Sequence, residues 1–410
     1  MPGLEQLPPF VGFSGRNGNT QLICWRKPIG DSQGLNTVMQ NNEVIPVSAP
    51  DVTGNEKKYV AECIDTGWIS SVGDFVRRFE SEFSQYCGCR HGATVNTGTA
   101  ALHLALRALD IGPGDEVILP ALTFASTANV ILYQNATPVF ADSGEEDWNL
   151  DVSQLPGLIT SRTRAIMPVH LYGQPCDMAP IMKLASGHNL YVIEDCAEAH
   201  GAMYDGRYVG SIGHIGCFSF YGNKIITTGE GGMCVTNDTA LHERMSMLRD
   251  HAMDKKKRYW HQEVGFNYRM TNLQAAVGCA QLERISEFLK KKRWIKDEYN
   301  TRLRGLGCIL PREPDRTLSV FWLYTLLLPS GAGETERDAL IAYLRENNVE
   351  SRPVFYPITT MPPYQRFQRP IPNATTIAAR GITLPSFHRL TEKQIDRIAN
   401  LVRAWVHGPG

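Results

Sequence analysis

From about Ala93 onward the chain alternates short apolar runs with amphipathic stretches. The runs are Ala93–Asn96, Glu116–Leu119, Thr137–Ala141, Ala165–His170, Leu190–Asp195, Gly216–Phe220 and Gly232–Thr236. Most are unbroken, which is the pattern of strands covered on both faces in a parallel or mixed sheet. Between them, Thr99–Leu109, Ala125–Tyr133 and Asp177–Gly187 have helical length and spacing. Together they predict an α/β fold: a three-layer α/β/α large domain around about seven mostly parallel strands. A long helix is predicted over Thr271–Arg293. Further on, a strand at Val320–Leu328 and helices at Glu334–Asn347 and Glu392–Trp405 predict a small α+β C-terminal domain. Residues 1–43 are rich in Gly, Asn, Gln and Pro with little periodicity and read as an N-terminal extension. The expected division is therefore 1–43 extension, 44–290 large domain and 291–410 small domain.

Composition sets limits on this picture. With 410 residues, 43% of them hydrophobic, the chain can bury a core of this size. Its formal charge of −1 provides no overall field to attract nucleic acid or an anionic membrane, so an anionic ligand must meet a local pocket of positive charge. The ten cysteines are scattered, several inside apolar runs, and Cys87-Gly88-Cys89 has no second pair to complete a metal site. They read as reduced thiols in a cytoplasmic protein, with no metal expected. The first residues lack the charged start and apolar core of a secretory signal, and no apolar run reaches membrane-spanning length.

In open α/β sheets ligands collect beyond the carboxyl ends of the strands. The first strand ends in Asn96-Thr97-Gly98-Thr99-Ala100, immediately before a helix, where backbone N–H groups and the helix dipole suit a phosphate; a plain helix cap by Thr97 or Thr99 fits as well. The fifth run ends in Asp195. This acid can hold a neighbouring cation such as a protonated pyridine nitrogen, or serve as a cap or metal ligand. The sixth leads from Ser219 to Lys224, which lies between an apolar strand and a glycine-rich turn. A desolvated amine there becomes a nucleophile and base, although a lone lysine in a loop is more commonly a solvated surface residue. Phe124 offers an aromatic face, or simply core packing. A phosphate cradle, an acid for a ring nitrogen and a lysine for an aldehyde are, taken together, what pyridoxal 5'-phosphate (PLP) requires of a protein.

Six stretches carry a family resemblance: TGTAALHLAL, GPGDEVILPALTF, PVHLYGQPCDM, VIEDCAEAHGA, FSFYGNKIITTGEGGM and VGFNYRMTNLQAAVG. They resemble the DegT/DnrJ/EryC1/StrS sugar aminotransferases, PLP enzymes of fold type I, with similarity from about Pro46 to the C-terminus. The resemblance implies that Lys224 binds the cofactor as a Schiff base and that Asp195 contacts the pyridine nitrogen. It places Glu198 near the cofactor's 3-hydroxyl, Thr99, Ala100 and Ser219 at the phosphate, and Phe124 on the ring face. Asn267 is expected to reach in from the second subunit of a homodimer with shared active sites. His170, Tyr268 and Arg269 occupy motif positions assigned to substrate. Lysine at 224, where the family's 3-dehydratases carry histidine, points to transamination.

Within the family, GNKIITTGEGGM, the RYW of Arg258–Trp260 and the stretch from Glu350 to Tyr364 resemble the enzymes that aminate C4 of GDP-4-keto-6-deoxymannose to give GDP-perosamine, with L-glutamate as donor. Relatives commonly carry His within the stretch that here reads Tyr356–Thr360, and Thr359 falls in it, which bears on the sugar contacts. Other dTDP- or UDP-linked ketosugars, and a non-catalytic PLP-binding regulator, are the alternatives. A nicotinamide oxidoreductase is disfavoured, because Gly210, Gly213 and Gly216 have the wrong spacing and lie too late for a dinucleotide loop. The run Lys255–Arg258 ahead of Tyr259 and Trp260 suits either a nucleotide diphosphate or solvent.

Overall fold

The computed structural model describes residues 44–408, so the extension expected over 1–43 lies outside the described residues. Seven strands form the main sheet: β1 (His91–Val95), β2 (Glu116–Pro120), β3 (Thr137–Ala141), β4 (Thr163–Ile166), β5 (Tyr191–Asp195), β6 (Ile215–Ser219) and β7 (Gly232–Thr236). Their order is β1-β7-β6-β5-β4-β2-β3. Strands β2 to β6 pair in parallel, while β7 pairs antiparallel with both β1 and β6. Consequently the carboxyl ends of β1, β2, β4, β5 and β6 share one edge, and the amino end of β7 joins them there.

The unbroken apolar runs reflect burial on both faces. Val117 and Leu119 face one core cluster while Ile118 between them faces another, and Ile193 and Val192 divide in the same way. The first cluster packs beneath α1 (Glu56–Thr66), α2 (Asp74–Tyr86) and α3 (Gly98–Ala108). α2 presents Phe75, Val76, Phe79 and Phe83 as one apolar stripe. Next along the chain come α4 (Ala125–Tyr133) and α5 (Met178–His188), and α5 covers the opposite face of the sheet through Met178, Ile181 and Ala185.

Two sequence expectations need correction. The single helix expected over Thr271–Arg293 is two helices, Asn272–Leu282 and Ile285–Leu303. Neither Gly nor Pro marks the break; it is set by tertiary bonds, because Glu283 accepts from Asn55, Tyr59 and Arg78 while Arg284 turns to Asp51. The strand expected at Val320–Leu328 begins only at Tyr324. Its first residues are drawn off by a turn elsewhere: Val320 N–H donates to the Gly173 carbonyl and Trp322 N–H to that of Tyr172.

The helix Ile285–Leu303 contributes Ile285 and Phe288 to the large core and Ile295, Tyr299 and Leu303 to a separate C-terminal cluster. That second cluster gathers a three-stranded sheet (Tyr324–Leu327, Gly381–Leu384, Arg352–Pro353) and the helices Glu334–Glu346 and Glu392–His407. Ile45 also packs in it.

Candidate active site

At the shared edge, Thr97 caps α3 by accepting the Ala100 N–H at 3.0 Å. The ladder starts with Ala101 N–H to the Thr97 carbonyl, which leaves the N–H groups of Gly98 and Thr99 without an acceptor among the described residues. Two glycines make the close approach possible. A Cβ on Gly98 would lie 2.6 Å from Ser219 Cβ, and one on Gly232 would lie 2.4 Å from the Thr97 carbonyl. The Ser219 hydroxyl is thereby brought against the helix N-terminus, forming a compact anion cradle. Thr99 Oγ1 is 2.8 Å from Ser126 Oγ. The Gly98 and Thr99 N–H groups are thus open at the cradle, while that of Ala100, also expected at the phosphate, is engaged by the Thr97 cap.

Strand β5 ends in two carboxylates. Asp195 Oδ2 accepts from Thr127 Oγ1 at 2.9 Å and Oδ1 from the Ala197 N–H at 3.1 Å. Thr123 Oγ1 lies 3.0 Å behind Thr127 Oγ1 and completes a relay of hydroxyls. Burial pushes the Asp195 pKa up, against the Ala197 N–H, Thr127 and the charge of Lys224, so the acid is short of positive partners. A protonated ring nitrogen would suit this carboxylate.

Glu194 differs in every respect. It is fully enclosed and accepts the N–H groups of Gly210, Ile212 and Gly213 at 2.9, 2.9 and 2.6 Å, and it lies 3.1 Å from His170 Nε2. Burial raises its pKa, but the His170 bond and these N–H donors outweigh burial, and the net shift is downward. His170 Nδ1 accepts the Cys176 N–H at 3.0 Å, which fixes the tautomer with Nε2–H directed at Glu194. With both ring nitrogens engaged and no exposed surface, His170 braces the loop, and the substrate contact expected of it is sterically closed.

Lys224 follows β6 at the same edge, its side chain 11% exposed. Its Nζ lies 3.7 Å from Glu198 Oε1 and 3.8 Å from the centroid of the Trp322 ring. Burial lowers its pKa, while Glu198 and Asp195 pull it back up. Glu198 is held by the Tyr172 N–H at 2.7 Å, and burial carries its pKa up to about 7 against the pull of Lys224 and that N–H. The amine is therefore neither a free solvent cation nor a fixed salt bridge. Partly desolvated beside one carboxylate and one indole face, it is placed to act as a nucleophile.

Phe124 stands at the start of α4, 58% exposed, with its ring 5.8 Å from that of Phe355. Thr359 is buried in the turn Ile358–Thr360, whose Ile358 N–H donates to the Ala121 carbonyl. The structure thus gathers Thr99, Ala100, Phe124, Asp195, Glu198, Ser219 and Lys224 along one edge. Asn267, Tyr268 and Arg269 are not bonded to that group among the described residues. Asn267 Oδ1 accepts from Arg269, Arg269 pairs with Asp250 at 2.7 Å, and the Tyr268 hydroxyl lies 3.0 Å from His103 Nδ1. Thr127, Tyr172 and Trp322 are contributors that sequence reasoning missed, since each reads as ordinary core on its own.

These residues fit PLP. The open N–H groups of Gly98 and Thr99 with Ser219 suit its phosphate, Asp195 its ring nitrogen, Phe124 its face and Lys224 its aldehyde. Comparison with known proteins agrees. A model of the DegT/DnrJ/EryC1/StrS aminotransferase family matches residues 50–403. The GDP-perosamine synthase of Caulobacter vibrioides is 51% identical over 86% of this chain and 96% of its own length. That of Escherichia coli O157:H7 is 47% identical over 87% and 97% respectively. The structure of S. venezuelae DesV, determined in complex with a ketimine intermediate, superposes with a TM-score of 0.82 at 35% identity, covering 87% of this chain and 95% of DesV. The chain belongs to the DegT/DnrJ/EryC1/StrS family and is a PLP-dependent aminotransferase.

Proposed function

We propose that this aminotransferase moves the amino group of L-glutamate to C4 of GDP-4-keto-6-deoxy-D-mannose, giving GDP-perosamine. The observation that carries the reading is the near full-length identity to two enzymes named for that product, joined to an edge whose lysine, acid and anion cradle suit transamination. When bound, PLP supplies the electron sink that stabilises a carbanion at the carbon bearing nitrogen. The protein's own residues do the rest. Lys224 Nζ takes a proton from the donor carbon and later returns one to the sugar carbon, and burial, which disfavours its charged form, works toward the basic amine. Asp195 would keep the ring nitrogen cationic, and the Thr127 hydroxyl, itself 3.0 Å from that of Thr123, holds Asp195 in place. Glu198 steadies the ammonium form of Lys224.

We further infer a homodimer with shared sites, in which Asn267 of one copy reaches the edge of the other, and Tyr268 and Arg269 contact substrate. The exposure of Phe124, Tyr221, Tyr259 and Trp260 favours this reading. In the basic loop, Lys257 packs on Trp260 at 3.6 Å and Arg258 on Tyr259 at 5.0 Å, an arrangement suited to a nucleotide diphosphate and its base. Replacing Lys255–Lys257 with Ala is expected to raise KM for the nucleotide sugar. The nine described cysteines are free thiols, which fits the cytoplasmic setting we propose, and among the described residues no helix is long and apolar enough to cross a membrane.

The decisive experiment incubates purified protein with glutamate and GDP-, dTDP- or UDP-linked 4-keto-6-deoxysugars, with products read by mass. An aminosugar from the GDP substrate is expected. Product only from a dTDP or UDP sugar would overturn the assignment.

A further inference from the structure

Two lysines contact Trp322, Lys224 over its ring and the buried Lys292 at its backbone carbonyl. Its indole N–H donates to the carbonyl of Asn223 at 2.7 Å, the residue before Lys224, so the ring is tied to the chain it covers. Its backbone is held from both directions. The Trp322 N–H donates to the Tyr172 carbonyl at 2.9 Å, and its carbonyl accepts from Lys292 Nζ at 2.7 Å. The same Lys292 Nζ also donates to the carbonyl of Ser386 and, at 3.2 Å, to its hydroxyl.

Tyr172 links this arrangement to Glu198. It adopts a left-handed conformation, with φ of 53°, and directs its carbonyl to Trp322 while its own N–H goes to Glu198 Oε2. The indole and the carboxylate that flank Lys224 therefore hang from one residue. Gly173 beside it permits the approach, since a Cβ there would meet Val320 at 2.6 Å and the Trp322 nitrogen at 3.0 Å.

Lys292 has an unusual set of partners. It is buried, and its three proton positions are met by three neutral oxygens instead of a carboxylate. Burial pushes its pKa down to about 7. A buried ammonium is costly, and an apolar side chain of similar length would fill the space at lower cost, so the residue acts by fixing the carbonyls it grips.

An indole face attracts a cation through its quadrupole and offers a neutral amine no comparable gain. We propose that Trp322 is a positioning residue for Lys224, seating the ammonium form of the freed amine while it carries the transferred proton, with Lys292 locking that ring in place. The proton leaves a C–H bond, forms N–H on Lys224 and later returns to carbon, and no other reactant is needed. This proposal rests on the reading of Lys224 as the transferring lysine, and it adds Trp322 and Lys292 as the residues that set where the amine waits.

The test measures the pKa of Lys224 in the full-length, cofactor-free chain, by competitive acylation across pH with peptide mass as the readout. Trp322→Leu keeps apolar bulk and removes the aromatic face, and is expected to lower the Lys224 pKa by about one unit. Trp322→Phe should lower it less, and Lys292→Met should lower it with the indole still present. Glu198, Asp195 and His200, the titratable groups acting on the amine, are unchanged in all three. An unaltered pKa in folded Trp322→Leu makes the indole mere packing and overturns the proposal. If that variant does not fold, an unaltered pKa in Trp322→Phe does the same, and an unaltered value in Lys292→Met removes Lys292 from the role. Borohydride capture of PLP on wild-type Lys224 is scored separately. Its absence sinks the transaminase reading of Lys224, whereas a failed pKa shift with capture intact sinks only the indole seat.

Discussion

Glu194 and Asp195 are neighbours on one strand with opposite fates. Alternation along β5 turns them to different sides. Glu194 meets three backbone N–H groups and His170, and its pKa falls; Asp195 meets one N–H and one hydroxyl, and its pKa rises. The difference shows that a buried acid serves structure when its charge is already answered and serves chemistry when a positive partner is still owed.

The largest expected effect sharpens that contrast. Asp195→Asn removes the anion for the ring nitrogen and is expected to cut turnover by about 10²–10³-fold with little change in melting temperature, measured by steady-state kinetics and thermal unfolding. Glu194→Gln should do the reverse, setting an amide against backbone donors. We expect about 3 kcal/mol of lost stability in denaturant melts, with turnover per folded molecule within about tenfold of wild type. If the two variants exchange these phenotypes, the division of roles is wrong.

Glu198 stands between these extremes, and its pKa of about 7 gives a pH signature. Below that value it is protonated and no longer steadies the Lys224 ammonium, so the rate should climb as pH rises through 7. Glu198→Gln should flatten that limb at a cost of about tenfold in rate.

A further effect, on stability, concerns Lys292. Its folded pKa of about 7 lies below the ordinary 10.5, so between those values the unfolded chain binds more protons and stability rises with pH. Below about 7 the penalty is fully present. Lys292→Met should abolish this slope in melts taken from pH 7 to 9.

The strand ends and the residues that follow them were legible in the sequence. Runs closing in Asp195 and Ser219 and leading to Lys224 are local signals, and Thr137–Ala141, Gly232–Thr236 and Ala125–Tyr133 coincide with the observed elements. What escaped depends on partners distant in sequence. Trp322 sits in a run that reads as strand, and only the N–H groups drawn to Tyr172 and Gly173 reveal it as the cover of Lys224. The break after Leu282 is likewise made by Asp51, Asn55, Tyr59 and Arg78, which no local pattern encodes. His170 matched a motif position, yet Glu194 and Cys176 consume both of its nitrogens.

Lys224 and Lys292 are two amines whose pKa burial lowers, so both are candidates for an aldehyde. Borohydride reduction of the PLP-loaded protein followed by peptide mapping distinguishes them. A pyridoxyl group on Lys224 alone is the expected result. A label on Lys292, or none at all, would contradict the assignment of Lys224 as the residue on which the transfer depends.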